Sequence, residues 1–133
     1  MMRARTIVLL AAAFVLLART PRTTAQDLDA LFNGGAILSR PTDHGITVRA
    51  IAGRALTATM EWRVDGSNDE WRRSAPANAA AGAAVDLVAD GLAPDTAYTY
   101  RLSVVPQGAS GPATVGSEGR FRTQRRRGSP FSF

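Results

Sequence analysis

Apolar and polar residues alternate over two stretches in the middle of the chain. Nine residues from Leu56 to Val64 and seven from Tyr98 to Val104 each place apolar side chains at every second position. A period of two is typical of a β-strand that buries one face and exposes the other. Two strands are therefore predicted, with these residues facing the core: Leu56, Ala58, Met60, Trp62, Val64, Tyr98, Tyr100, Leu102 and Val104.

Shorter segments complete an all-β pattern. Turn or loop residues separate them, with Asn33–Gly35, Asp43–Gly45 and Asp65–Asp69 read as turns and Pro76–Ala84 and Gln107–Gly116 read as loops. Seven short strands without a convincing amphipathic helix predict a β-sandwich. The five further strands are predicted at Ala36–Ser39, Ile46–Ile51, Glu70–Arg73, Val85–Leu87 and Arg120–Thr123.

The first 25 residues have the order of a secretory signal peptide. A basic start, Met1–Arg5, precedes the apolar run Ile7–Ala18, and small residues follow up to Ala25. The run is shorter than the roughly 20 apolar residues that span a bilayer. We expect cleavage after Ala25 and a secreted or periplasmic protein with no membrane contact after cleavage, and an uncleaved membrane anchor is the alternative.

Composition narrows the classes of function. The 133 residues have room for one domain, and the absence of cysteine excludes a disulfide scaffold and a thiolate metal site. The net charge is +5, and every basic residue apart from the single histidine is an arginine. The sequence lacks the basic stripe interleaved with aromatic residues that is typical of nucleic-acid binding, so we expect no nucleic-acid partner. Five of the arginines lie close together near the C-terminus: Arg120, Arg122, Arg125, Arg126 and Arg127.

The segment Gly91–Tyr100, GLAPDTAYTY, resembles the fibronectin type III signature Leu-x-Pro-x-Thr-x-Tyr. In such sandwiches the tyrosine begins a strand and returns its hydroxyl to the backbone of the preceding crossover. The resemblance implies a seven-stranded fibronectin type III or immunoglobulin-like sandwich over residues 36–124, after a lead-in at 26–35. It also implies these structural core residues: Trp62, Leu92, Pro94, Tyr98 and Tyr100.

A second resemblance concerns the domain's context. The segments Gly35–Thr42 and Phe121–Thr123 are similar to the N-terminal domain of purple acid phosphatases and related metallophosphoesterases. In that family a proline-containing linker leads into a Phe-x-Phe strand and the first metal-binding Asp-x-His. Gly128–Phe133 resembles this linker, so residues 125–133 are predicted to be a linker and the start of a catalytic domain.

The family's chemistry is not carried by this stretch of sequence. Its dinuclear site needs several His, Asp and Asn ligands around two metals about 3.5–4 Å apart, and the chain has one histidine. We expect no catalytic, cofactor-binding or metal-binding residue here. The expected function is a non-catalytic accessory domain of a secreted metal-dependent phosphatase, with the metallophosphoesterase domain as its partner in cis. The alternative is a free-standing fibronectin type III module that binds a protein or a polysaccharide.

Four further features admit two interpretations each. His44 is either a solvent-exposed turn residue or a metal ligand. The acidic residues at 65, 69 and 70 form either a solvated hairpin turn or a calcium loop, although the ordered spacing of an EF-hand is missing. Arg125–Arg127 is either an interdomain linker or a site for phosphate or anionic lipid. Trp71 either packs against the sheet edge or is exposed for a partner.

Overall fold

A computed structural model describes Leu28 and residues 30–130. The predicted signal peptide and the residues from Phe131 onwards lie outside the described residues. Among the described residues, no helix is long and apolar enough to cross a membrane. The strands are β1 Phe32–Ser39, β2 Ile46–Ala52, β3 Leu56–Val64, β4 Arg72–Arg73, β5 Ala77–Ala79, β6 Ala84–Ala89, β7 Ala97–Pro106, β8 Thr114–Val115 and β9 Gly119–Arg122.

Two antiparallel sheets form the molecule. The smaller sheet has the order β1-β2-β6. In the larger sheet β3 pairs with β7, and the short strands β4 and β5 both pair with β3 while β8 and β9 both pair with β7. The strands β4 and β5 lie end to end along the same edge of β3, and β8 and β9 lie end to end along the same edge of β7. The smaller sheet is therefore three strands wide and the larger sheet is four strands wide. The predicted all-β sandwich is confirmed: the described residues contain the seven predicted strands and two further short strands, β5 and β8.

The core lies between the sheets and is formed by the alternating residues that the pattern assigned to it. Ile46, Val48 and Ala50 of β2 are buried, as are the first four inward residues of β3. Val64, the fifth, is 41% exposed, contrary to prediction, since it ends β3 at the edge of the sandwich. On the opposite face Glu61 is buried although the alternation predicts an exposed residue.

The first strand begins at Phe32, earlier than the predicted Ala36. The predicted turn at Asn33–Gly35 lies inside this strand and forms an irregularity in its pairing with β2. Gly34 and Gly35 have φ angles of 86° and 79°, which glycine adopts at low cost, so the chain bends without leaving the sheet. Leu28 is buried too, so the lead-in contributes to the core.

Two segments interpreted as loops contain short strands. Ala77–Ala79 pairs with the first residues of β3, and Thr114–Val115 pairs with Ser103 and Val104 of β7. Their glycine, proline and alanine content favours loops, but a long neighbouring strand offers unpaired backbone groups over these few residues. In these two segments, pairing with a long neighbouring strand therefore outweighs the preference of their residues for loops.

The structure places the five predicted core residues in two groups. Trp62, Leu92 and Tyr98 are buried in the core, whereas Pro94 and Tyr100 are partly exposed. The Tyr98 hydroxyl accepts a hydrogen bond of 2.9 Å from the backbone N–H of Ala93 in the crossover before β7. This is the geometry of a tyrosine corner, and it ties the start of β7 to the preceding loop.

Candidate functional site

The chain leaves the sandwich at one end, where three segments meet. We call this end the exit pole; it comprises residues 40–45, 90–96 and 123–127. The backbone N–H of Gln124 donates to the carbonyl of Thr42 at 2.9 Å, and the N–H of Asp95 donates to the carbonyl of Gln124 at 3.0 Å. The N–H of Leu92 donates to the carbonyl of His44 at 2.9 Å. The departing chain is thus held between two loops by backbone hydrogen bonds.

Thr123 is the central side chain of the exit pole. It is buried, and its hydroxyl donates to the carbonyl of Ala93 at 2.6 Å. The same oxygen accepts from the backbone N–H of Thr96 at 3.0 Å, while the N–H of Thr123 donates to the carbonyl of Thr96 at 3.0 Å. A buried hydroxyl that both donates and accepts satisfies backbone groups that would otherwise lose water without replacement. The last strand is therefore fixed up to Thr123.

Asp95 adds charge to the same region. Its carboxylate pairs with Nε of Arg122 at 2.9 Å and with Nε of Arg125 at 3.6 Å. The hydrogen bond from Arg122, followed by the attraction of both arginines, lowers the pKa of this carboxyl. Since the carboxylate is substantially exposed, solvent screens these pairs, and their effect is to favour one path of the chain rather than to add much stability.

His44 lies on the rim of the exit pole, exposed in the turn where the sequence predicts it. Its Nδ1 is 2.6 Å from Oδ1 of Asp43, and this hydrogen bond raises the pKa of His44 and lowers that of Asp43. Stability from this pair is present between the ordinary carboxyl pKa and the ordinary histidine pKa. It is lost as pH falls through the lowered pKa of Asp43 or rises through the raised pKa of His44. Within residues 30–130 and Leu28, no three His, Asp or Glu side chains are grouped to hold a metal.

The three acidic residues considered for calcium have separate surroundings. Asp65 accepts a hydrogen bond from the Thr99 hydroxyl at 2.6 Å and lies 3.3 Å from Nε of Arg120. Asp69 and Glu70 are exposed in the segment after the β3 turn. The partners of Asp65 are therefore side chains of β7 and β9, whereas Asp69 and Glu70 face solvent.

The structure also locates Trp71 and the arginines of Arg125–Arg127, for which the sequence leaves two interpretations each. Trp71 is half-buried and lies against the guanidinium groups of Arg63 and Arg101, on the outer face of the larger sheet. Arg125 contacts Asp95 at the exit pole, and Arg126 and Arg127 are exposed. Trp71 thus packs against arginine side chains of the larger sheet, which is closer to the packed interpretation than to the exposed one.

Sequence reasoning did not find two of the residues that organise these surfaces. The alternation in β3 predicts an exposed Glu61, but Arg73 and Arg101 cover it from neighbouring strands. The sequence predicts Thr123 only as the last residue of a strand. Strand pairing brings the partners of both residues together from distant positions in the chain, so no local pattern could reveal them.

Comparison with known proteins places the fold but not a family. No family model and none of the curated proteins matches this sequence. Among solved structures, it is similar to the sensor domain of the anti-sigma factor RsgI4 in Pseudobacteroides cellulosolvens, with 12% identity and a TM-score of 0.51 over 69% of this chain and 93% of that chain. It is also similar to PhoD, with 19% identity and a TM-score of 0.55 over 73% of this chain and 20% of that chain. A myokine structure matches at 12% identity and a TM-score of 0.52 over 68% of this chain and 94% of that chain.

At these identities the comparisons establish architecture alone. Together with the two-sheet arrangement and the tyrosine corner, they define the chain as a fibronectin type III-like β-sandwich. The chain spans about a fifth of the length of PhoD, so in PhoD this fold is one part of a much longer chain.

Proposed function

We propose that this chain is the non-catalytic accessory domain of a secreted metal-dependent phosphatase and precedes the catalytic domain in the same polypeptide. The observation that carries the proposal is the clamped exit of the chain. Thr123 and Gln124 are bonded to two loops of the sandwich immediately before the linker at residues 125–133. A domain attached there would start from a fixed point and a fixed direction.

Two further observations support the attachment. Gly128–Phe133 resembles the linker and first strand that lead into a metallophosphoesterase domain. In PhoD the matching fold is likewise a fraction of a longer chain. The predicted signal peptide would place the whole protein outside the cytoplasm.

The proposed role of the domain follows from the fixed position of Gln124 at the exit pole. Fixing Gln124 reduces the orientations open to the following segment, so less conformational entropy is lost when the next domain packs against the sandwich. The accessory domain would thereby hold the catalytic domain in one orientation and shape the edge of its active site. Proton transfer and metal binding would belong to the catalytic domain.

The proposal is tested by extending the protein beyond Phe133. The coding sequence is read past this residue, and the longer chain is produced and assayed with p-nitrophenyl phosphate in the presence of Mn²⁺ or Zn²⁺. We expect an Asp-x-His within a few residues of Phe133 and metal-dependent hydrolysis by the longer chain. The present 133 residues, assayed alike, serve as the matched control and should hydrolyse the ester no faster than buffer.

Two results would contradict the proposal. A stop codon directly after Phe133 would favour the alternative, a free-standing module that binds a protein or a polysaccharide. Metal-dependent turnover by the 133-residue chain would show that the sandwich itself carries the chemistry.

A further inference from the structure

The outer face of the larger sheet contains a buried carboxylate between two arginines. Oε1 of Glu61 lies 2.9 Å from Nε of Arg73 in β4, and Oε2 accepts a hydrogen bond of 2.6 Å from Nε of Arg101 in β7. The Glu61 side chain is only 5% exposed. One carboxylate oxygen thus lies against each arginine, and Nε is the contacting atom in both ion pairs. The terminal amino groups of a guanidinium fork can bind a second partner.

Trp71 stacks against one of these two arginines, Arg101, and against a third arginine, Arg63. The guanidinium carbon of Arg101 lies 4.1 Å from the centroid of the Trp71 ring, and that of Arg63 lies 4.4 Å from it. Stacking on an aromatic face orients a planar guanidinium and reduces the side-chain freedom that ligand binding would otherwise remove. We call Arg63, Arg73 and Arg101, with Glu61 and Trp71, the guanidinium platform.

Acidic and basic groups lie at different depths on this face. The Arg73 side chain is 69% exposed above the buried Glu61, and the Arg120 side chain is 77% exposed beside Asp65, which is 28% exposed. The formal charge of the platform is three arginines against one glutamate, +2. The carboxylate lies beneath the guanidinium groups, so the surface that meets solvent is mainly cationic.

A depression of about 310 Å³ adjoins the platform. Thr59 and Ser103 line this hollow together with Arg73, Arg101 and the buried Glu61, and Ala113 and Val115 complete the lining. Volumes of roughly 300 Å³ lie at the lower end of the range for small-molecule sites. Paired guanidinium groups match the geometry of a carboxylate or phosphate, and hydroxyls bind the hydroxyl groups of a sugar.

We propose that this depression is a binding site for a small hydroxylated oxyanion, a sugar carrying a phosphate or a carboxylate. Arg73 and Arg101 bind the oxyanion through their terminal amino groups, while Thr59 and Ser103 bind sugar hydroxyls. Glu61 is a positioning residue that fixes the two guanidinium groups, and Trp71 supports Arg101 from the other side. The site lies on the outer face of the sheet and does not depend on the exit pole or on an attached catalytic domain.

The test is a titration of the 133-residue protein followed by NMR, with the Arg Nε–H and Trp71 indole resonances as reporters. The probes are inorganic phosphate, glucose 6-phosphate and glucuronate. We expect at least one sugar oxyanion to shift the Trp71 and Arg101 resonances in a saturable way. Arg73→Gln should weaken this binding about tenfold or more, since one charged fork is lost.

Arg49→Gln is the matched control. Arg49 is exposed on the outer face of the smaller sheet and pairs with Asp86 through two hydrogen bonds of 2.7 and 2.6 Å, so this change also removes an arginine from an ion pair. We expect it to leave the affinity unchanged. Circular dichroism of both variants should match that of the parent chain, because Arg49 and Arg73 are both largely exposed.

The arms of the titration identify the oxyanion. Glucose 6-phosphate binding more tightly than glucuronate assigns a phosphate ester, the reverse order assigns a sugar acid, and either order supports the proposal. Inorganic phosphate binding as tightly as the sugar phosphate would overturn the hydroxyl contacts. The site itself is overturned if none of the three probes shifts these resonances, or if Arg49→Gln weakens binding as much as Arg73→Gln.

Discussion

At the scale of single residues, Tyr98 joins the core to the crossover. Its ring is buried and stacks on Phe121 at a centroid distance of 5.4 Å, and its hydroxyl accepts from the N–H of Ala93. One side chain therefore contributes apolar burial and a hydrogen bond to the loop before β7. This combination explains why the tyrosine in the signature segment indicates a sandwich so strongly.

We predict that Tyr98→Phe lowers the free energy of unfolding by about 1 kcal/mol. The ring and its packing stay, and the loss is that of one partly buried hydrogen bond from a backbone donor. Urea denaturation followed by circular dichroism measures the change. Tyr100→Phe is the control, and its effect should stay within about 0.5 kcal/mol because Tyr100 is partly exposed. Equal losses in the two variants would contradict the assigned role of the Tyr98 hydroxyl.

At the scale of elements, the Tyr100 ring of β7 lies across β9 at Gly119, where no side chain occupies the space. A Cβ at this position would lie 2.6 Å from a carbon of the Tyr100 ring, well inside the distance of ordinary contact. Gly119 pairs directly with Tyr100 across the two strands. The ring thus occupies the space that a side chain at position 119 would need.

Gly119→Ala should therefore destabilise the protein by about 1–3 kcal/mol, since the Tyr100 ring or β9 must shift. Urea unfolding of this variant is compared with that of Arg120→Ala in the same strand. The control removes only the surface ion pair with Asp65 and should cost less than about 1 kcal/mol. A Gly119→Ala protein as stable as the parent would show that packing of the Tyr100 ring over Gly119 does not stabilise the sandwich.

At the scale of the whole molecule, the sandwich is closed by the hydrogen bonds of Thr123 and Gln124. Beyond these residues the backbone makes a turn in which the N–H of Ser129 donates to the carbonyl of Arg126 at 3.2 Å. Residues 128–130 are exposed. The fold should therefore need the chain up to Gln124 and little that follows.

Two truncated chains test this expectation by thermal denaturation. A chain ending after Arg127 keeps every hydrogen bond of Thr123 and Gln124, and its melting temperature should stay within about 4 °C of the parent value. A chain ending after Arg122 loses the hydrogen bonds of the Thr123 hydroxyl and three backbone–backbone hydrogen bonds of residues 123 and 124. It should melt more than about 10 °C lower. Equal melting temperatures would show that the exit pole does not stabilise the sandwich.

The alternation of residues in β3 and β7 was sufficient to predict the long strands, because side chains in a strand point to opposite faces whatever their partners. The same rule failed at its ends and edges. Val64 follows the pattern yet is exposed, and β5 and β8 exist because β3 and β7 offer them backbone partners. Pairing between distant segments is a property of the sheet rather than of the short strand itself.

Local sequence thus accounts for the fold class, the long strands and the segment that holds Tyr98, since each depends on periodicity or on the chemistry of neighbouring residues. The exit pole and the guanidinium platform arise only in three dimensions. Glu61 meets Arg101 across 40 positions of sequence, and Thr123 meets Ala93 across 30. Such contacts depend on which strands lie side by side in the sheet. The residues around Glu61 in the sequence therefore do not indicate which arginines will cover its carboxylate.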